Sequence, residues 1–145
     1  MTPDYGVTVA GMLLFGHEPA RWLPDGGAVF KRYLEAPRED GHAARPAVEQ
    51  AFDGPLIQVI DALWDAIQAQ LPPAPPDSGG YALDAVREAL INAMVHRDYR
   101  LRGERVEVRL YPDRLEVRSP GGLPGFLSVP HLLDGRLSRN PHLTW

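Results

Sequence analysis

The sequence predicts an α+β fold in which helices cover one face of an antiparallel sheet. Apolar residues recur at i, i+3, i+4 and i+7 between positions 56 and 67, which is typical of an amphipathic helix. A second helical pattern runs from about Leu83 to Asp98. Between 105 and 117, apolar and charged residues alternate around Tyr111-Pro112-Asp113, which predicts a β-hairpin. Helices joined to a hairpin by short connections favour a two-layer sandwich.

The other predicted elements follow from turn signals and shorter patterns. A short apolar helix is expected over 8–15, ending near Gly16, and a strand over 28–34 with Phe30 and Leu34 on one side. The polar stretch 35–47 reads as a loop. The helix after it begins at Asp53-Gly54-Pro55 and ends at Pro72. A rigid glycine turn is predicted over 119–125 and a further short helix over 129–133.

Composition excludes several classes of function. The chain has 145 residues, 44% of them hydrophobic, and a formal net charge of −4, which suits one domain or one domain with an appendage. It has no cysteine, so it forms no disulfide framework, thiolate nucleophile or Cys-ligated metal site. Lys31 is the only lysine and follows no glycine turn, which excludes P-loop ATPase and helicase motor chemistry. The apolar stretch 7–15 is too short to span a bilayer, so a cytoplasmic protein without membrane attachment is expected.

A Pro/Gly-rich segment at 72–80 divides the chain. It holds four prolines and two glycines, so it is predicted to be a linker or an exposed loop. Residues 1–80 carry five basic and eleven acidic groups, whereas residues 81–145 carry ten basic and eight acidic groups. Three segments are therefore expected: 1–71, the linker 72–80, and 81–145.

The helix at 83–96 carries the most informative pair of residues. Leu83, Val86, Leu90 and Met94 form one apolar stripe, and Glu88 and Asn92 lie nearly opposite, one turn apart, among alanine and aliphatic neighbours. We therefore expect the pair to be enclosed by apolar side chains yet reachable. Two interpretations stay open. In the structural one, Glu88 accepts a hydrogen bond and Asn92 caps a loop; in the functional one, Glu88 activates a water and Asn92 binds magnesium.

These residues carry a resemblance. Three motifs together resemble the divergent GHKL-type, histidine-kinase-like ATP-binding module. They are Glu88-xxx-Asn92-Ala93, His96-Arg97-Asp98-Tyr99 and Ser119-Pro120-Gly121-Gly122-Leu123-Pro124. That module occurs in the "RecG-like C-terminal" family of predicted transcriptional regulators. The stretch 9–16 resembles the tail of the Schlafen/Alba-type DNA-binding domain that precedes it.

The resemblance implies a bacterial regulatory module that binds ATP and Mg²⁺. Segment 1–71 would hold the tail of the Schlafen/Alba-type domain with a connecting strand and helix, and 81–145 a GHKL-like module incomplete at both ends. Glu88 would match the water-activating carboxylate and Asn92 the magnesium ligand. His96 lies one turn on, and Ser119, Gly121 and Gly122 would line the base.

The sequence departs from the family pattern in two places. The adenine-binding aspartate is replaced by Ser119, a neutral acceptor, and only three residues follow Arg139-Asn140-Pro141-His142, which resembles the start of the family's lid region. Phosphate closure needs a complete lid, so nucleotide binding without hydrolysis by the chain alone is expected.

Two further functions remain as alternatives. In the first, the fold is retained without nucleotide and serves as a homodimerisation scaffold, with the apolar stretch 9–15 as the contact. In the second, DNA phosphates bind the arginines between 97 and 109; otherwise DNA would be bound by parts of a longer regulator. Acidic residues interleaved among these arginines favour a solvated face with ion pairs instead.

Overall fold

The computed structural model describes residues 6–36, 45–71, 82–122 and 140–143. Its seven main elements follow the chain in the order α1 (Val9–Phe15), β1 (Ala28–Arg32), β2 (Val48–Phe52), α2 (Leu56–Gln70), α3 (Leu83–Val95), β3 (Val106–Leu110) and β4 (Leu115–Arg118). Short 3₁₀ helices lie at Pro19–Arg21 and Pro141–Leu143.

The four strands form one sheet in the order β2-β1-β3-β4. β1 pairs with β2 and β3 with β4 in antiparallel fashion, whereas β1 and β3 are parallel, with Ala28 opposite Val106 and Arg32 opposite Leu110. The predicted α+β class, with helices packed on a sheet, is confirmed. The sheet is mixed, however, rather than wholly antiparallel.

The parallel pair follows from a strand that sequence analysis missed. The segment 48–52 contains only Val48, Ala51 and Phe52 as apolar residues, and it is an edge strand whose three central residues are exposed. Edge strands are commonly short and polar, so alternation is a weak signal there. β2 runs back along β1, and after α2 and α3 the chain re-enters the sheet with β3 parallel to β1.

The core lies between the sheet and the helices. One face of the central strands is fully buried, with Phe30 on β1 and Val106 and Val108 on β3 each at 0% exposure. α2 and α3 cover this face, as Leu63, Ile67 and Leu90 are also at 0%. Gly27 allows β1 to begin close to β2, since a Cβ at that position would lie 2.0 Å from the carbonyl oxygen of Phe52.

Local signals set the helix ends as expected. Thr8 caps α1, where its Oγ1 accepts a hydrogen bond from the Gly11 amide at 3.0 Å. α2 begins after Gly54, whose φ is +138°. Its C-cap is Leu71, the residue directly before Pro72. β1 is shorter than expected: it ends at Arg32, and Leu34 lies outside the strand with 67% exposure.

The two halves of the chain share one sheet and one core. β1 and β2 come from the segment before 72–80, and β3 and β4 from the segment after it. The family assignment of each half remains a prediction. Within the described ranges, no helix has the length and apolar character needed to cross a bilayer.

Some predicted features lie outside the described residues. These are most of the loop 35–47, the linker 72–80, the part of the glycine turn after Gly122, the helix over 129–133 and Arg139.

Candidate functional site

Helix α3 presents two faces of different character. Val86, Leu90 and Met94 are buried against the core, with exposures of 8%, 0% and 0%. The opposite side, which we call the outer face of α3, is exposed at every position. The residues of this outer face are Ala85, Glu88, Ala89 and Asn92.

The structure places Glu88 and Asn92 side by side, but it does not enclose them. Both are exposed, and in the described part of the chain no hydrogen bond or ion pair joins either side chain to another residue. The expectation of a pair enclosed by apolar neighbours is therefore wrong. Of the apolar neighbours, Ala85 and Ala89 are exposed, which alanine tolerates as a strong helix former, whereas Ile91 and Val95 pack into or against the core instead of around the pair.

The glycine turn, defined here as Ser119–Gly122, is attached to the C-terminal end of α3. The Ser119 hydroxyl donates a hydrogen bond to the Ala93 carbonyl at 2.6 Å, and the Pro120 carbonyl accepts one from the Asp98 amide at 2.9 Å. Gly121 has a φ of +120°, a conformation that favours glycine. Because the Ser119 proton is used by the helix, its oxygen can act toward a ligand only as an acceptor.

Asn140, which lies far from α3 in the sequence, is hydrogen-bonded to the same end of the helix. Its Nδ2 donates hydrogen bonds to the carbonyls of Val95 at 2.6 Å and Arg97 at 2.9 Å. The Val95 carbonyl is among those that a helix terminus leaves without an internal partner, and Arg97 lies just beyond the C-cap. His96 is the C-cap, with its amide bonded to the Asn92 carbonyl at 2.9 Å and its side chain half-buried. The two ends that flank residues 123–139 thus lie at one end of α3.

A buried arginine stabilises the connection from α3 to β3. Arg97 is only 1% exposed, and its guanidinium donates to the carbonyls of Asp98 (3.3 Å), Leu101 (3.3 Å) and Glu104 (2.7 Å). It also lies 4.8 Å from the ring centroid of Tyr99, whose hydroxyl donates to the Met94 carbonyl at 2.8 Å. Burial lowers the pKa of Arg97 and raises the pKa of Tyr99. The sequence did not predict this structural role of Arg97, because its partners are backbone carbonyls and no residue pattern indicates them.

The arginines proposed as a phosphate-binding cluster are mostly engaged within the protein. Arg97 is buried and cannot contact DNA, which corrects its place in that cluster. Arg100 pairs with Asp98 at 3.1 Å, Arg105 with Asp53 at 2.9 Å and Arg109 with Glu107 at 2.7 Å. The expected ion pairs are present and compensate three of the arginines, whereas the exposed Arg102 has no ion pair among the described residues.

The donor set on the outer face of α3 suits a magnesium–nucleotide better than a metal ion alone. Among the described residues, no group of three His, Cys, Asp or Glu side chains comes together to bind a metal. A carboxylate and an amide oxygen are nevertheless ligands of the hard, oxygen-bound type that Mg²⁺ takes, usually together with phosphate oxygens and water. Glu88 and Asn92 therefore fit a magnesium ion that a nucleotide brings with it.

Comparisons with known proteins support an ATPase-like module. Residues 103–144 match a family model described as "Putative ATP-dependent DNA helicase recG C-terminal". The matched range includes β3, β4, the glycine turn and Asn140, but it does not reach α3. No curated protein matches the chain.

One similar solved structure covers nearly the whole chain. The crystal structure of the DIP2311 protein from Corynebacterium diphtheriae has a TM-score of 0.68 and 27% sequence identity over 92% of this chain. The match covers 22% of that structure's chain, so this protein spans about a fifth of its length.

Proposed function

We propose that the protein is a nucleotide-binding module in which the outer face of α3 receives the magnesium–phosphate end of ATP. The observation that carries the proposal is an exposed polar pair on the helix to which two other segments of the chain are attached. Glu88 and Asn92 are accessible one turn apart, and the glycine turn and Asn140 both attach at the C-terminal end of the same helix. Two chain segments remote in sequence from α3 are thus attached at Ala93 and Val95, one and three residues after Asn92 on the same helix.

Each residue has a role that its chemistry permits. A Mg²⁺–nucleotide, when bound, would supply the charged phosphate oxygens and the metal ion. The Asn92 carboxamide oxygen is suited to that metal or its water shell, and Glu88 can accept a proton from a nearby water. At the other end, Ser119 retains acceptor lone pairs, so it can receive a hydrogen bond from the adenine amino group although it cannot donate one.

We propose that ATP regulates the protein by binding and that this chain does not hydrolyse it. The matched ATPase-like range covers less than a third of the chain, and the chain corresponds to about a fifth of the similar crystal structure. A module of a longer, cytoplasmic transcriptional regulator fits these proportions. In that setting DNA is bound by other parts of the regulator, and binding of ATP to this module changes their activity.

Titration with a non-hydrolysable ATP analogue and MgCl₂ tests the proposal. We expect calorimetry to show saturable binding to the unmodified chain, a loss of affinity of at least about tenfold in Asn92→Ala, and a similar loss when EDTA removes the metal. Gln58→Ala is the matched control, since Gln58 is an exposed amide on α2 and should bind as the unmodified chain does.

Two results would remove the proposal. One is no binding by the unmodified chain at millimolar ligand. The other is equal affinity of Asn92→Ala and Gln58→Ala for the analogue.

A scaffold without nucleotide is the second candidate, and the exposure of α1 favours it. Phe15 is 86% exposed and Val9 is 47% exposed, whereas Leu13 of the same helix packs into the core. Such apolar groups are suited to a contact with a second copy of the chain. Sedimentation should then show a dimer that Phe15→Ser dissociates; a monomer at all concentrations would rule this candidate out.

A further inference from the structure

A cleft lies at the carboxyl ends of the parallel strands, and the proposed nucleotide site does not include it. β1 and β3 end in register at Arg32 and Leu110, and each strand is followed by a tyrosine. The chain then continues in different directions, into residues 34–36 after β1 and into the hairpin turn after β3. The resulting cleft has a volume of about 310 Å³, at the lower end of the roughly 300–1,000 Å³ typical of small-molecule sites. It is lined by Arg32, Tyr33, Leu34, Gln70, Leu110, Tyr111 and Pro112.

Two stacked rings form the aromatic wall of the cleft. The centroids of Tyr33 and Tyr111 are 4.8 Å apart and the rings are inclined by 16°. The Arg114 guanidinium carbon lies 4.5 Å from the Tyr111 centroid, so both faces of Tyr111 are covered. Tyr111 is accordingly only 7% exposed, whereas Tyr33 is half-buried and is the ring of the pair that remains accessible. A planar ligand extends this stack by packing on Tyr33.

Arg32 brings a positive charge that the described residues do not neutralise. Its Nη1 donates a hydrogen bond of 2.6 Å to Oε1 of Gln70, which is a neutral partner. The cations beside it differ, since Lys31 lies 2.8 Å and Arg109 2.7 Å from the carboxylate of Glu107. A guanidinium has five N–H donors, and the Gln70 amide nitrogen is left as a further donor. The cleft thus offers N–H groups and net positive charge next to an aromatic surface.

We propose that this cleft binds a small planar ring that carries one anionic group. The ring stacks on Tyr33, and the anion, a carboxylate or a phosphate, accepts hydrogen bonds from Arg32 and the Gln70 amide. The volume admits one such ring with its acidic group. The site lies outside the outer face of α3, so it does not depend on nucleotide binding there.

Four small probes test the proposal on the full chain. 4-Hydroxyphenylacetate and phenyl phosphate carry both a ring and an anion, 4-methylphenol lacks the anion, and cyclohexylacetate lacks the planar ring. We expect NMR titration to show binding of at least one of the first two, at least about fivefold tighter than either of the others. Preference between the carboxylate and the phosphate identifies the source of the anion. Equal binding of 4-methylphenol or cyclohexylacetate, or no binding of any probe, overturns the proposal.

Variants locate the binding. Tyr33→Leu and Arg32→Gln should each weaken binding by at least about tenfold, whereas Tyr33→Phe keeps the ring and should bind as the unmodified chain does. The control is Trp22→Leu. Trp22 is 63% exposed, its ring centroid lies 6.0 Å from the guanidinium carbon of Arg21, and it does not line the cleft. Retained dispersion of the amide spectrum shows that each variant is folded. Undiminished affinity in both Tyr33→Leu and Arg32→Gln contradicts the proposal.

Discussion

The two faces of α3 differ in burial, and the proposed site lies on the exposed one. The inner face is buried through Leu90 and Met94, both at 0% exposure, and its residues touch the sheet and α2. The outer face exposes Glu88 and Asn92 together with Ala85 and Ala89. Substitutions on the inner face should therefore act on folding, and substitutions on the outer face should act on ligand binding alone.

Leu90→Ala is expected to give the largest effect. It removes a fully buried side chain from the contact of α3 with the core, which typically costs about 2–5 kcal/mol of the free energy of unfolding. Chemical denaturation followed by circular dichroism measures this loss. A cost below about 1 kcal/mol would show that the inner face is not the packed one.

Glu107 provides an intermediate case, since it is a carboxylate that, unlike Glu88, is buried. Hydrogen bonding to Arg109 is the main cause that lowers the pKa of Glu107, and Lys31 adds to it. Glu107→Gln leaves both cations without this partner, so we expect a loss of about 1–3 kcal/mol at neutral pH. The control Glu49→Gln should cost less, because Glu49 lies 3.7 Å from Lys31 and its side chain is 56% exposed.

The pH dependence of this difference has a defined sign. A carboxylate whose pKa is lowered by folding stabilises the protein above its unfolded value, 4.5 for Glu107, and the contribution disappears as pH falls through the folded value. The free-energy difference between the unmodified chain and Glu107→Gln should therefore be constant near neutrality and shrink below about pH 4.5. A difference that grows on acidification would contradict the pairing.

The smallest effect on stability is expected on the outer face of α3. Glu88→Gln and Asn92→Ala each change an exposed side chain without a bonded partner among the described residues, so the free energy of unfolding should move by no more than about 0.5 kcal/mol. Thermal unfolding without ligand checks this. A loss of more than about 1 kcal/mol would assign these residues to the framework and favour their structural interpretation.

Much of the fold was predictable because strong periodicity marks its longer elements. The repeats in α2 and α3 reflect burial on one side of each helix, and the alternating apolar residues of β3 and β4 pack in or against the core. Thr8, Pro55 and Pro72 mark helix ends. The strand at 48–52 carries no such signal, since its pairing relies on backbone hydrogen bonds at a sheet edge. Because this strand was not predicted, the parallel pairing of β1 with β3 was not predicted either.

The relative placement of Glu88 and Asn92 was predictable from the sequence, but their surroundings were not. The spacing of Glu88 and Asn92 fixes their side-by-side position on any helix, as the structure shows. Their exposure depends on whether another element packs on this face of α3, which is a tertiary property. The attachments of Ser119 and Asn140 to α3, and the stacking of Tyr33 on Tyr111, likewise join residues far apart in sequence.

The most direct test of the nucleotide site follows the side-chain amide of Asn92 by NMR. In a ¹⁵N-labelled chain titrated with the Mg²⁺ complex of a non-hydrolysable ATP analogue, its Nδ2 resonances should shift in a saturable manner, together with the amides of the glycine turn. The site is refuted if those resonances stay in place at saturating ligand, or if the only shifts arise around Tyr33 and Tyr111.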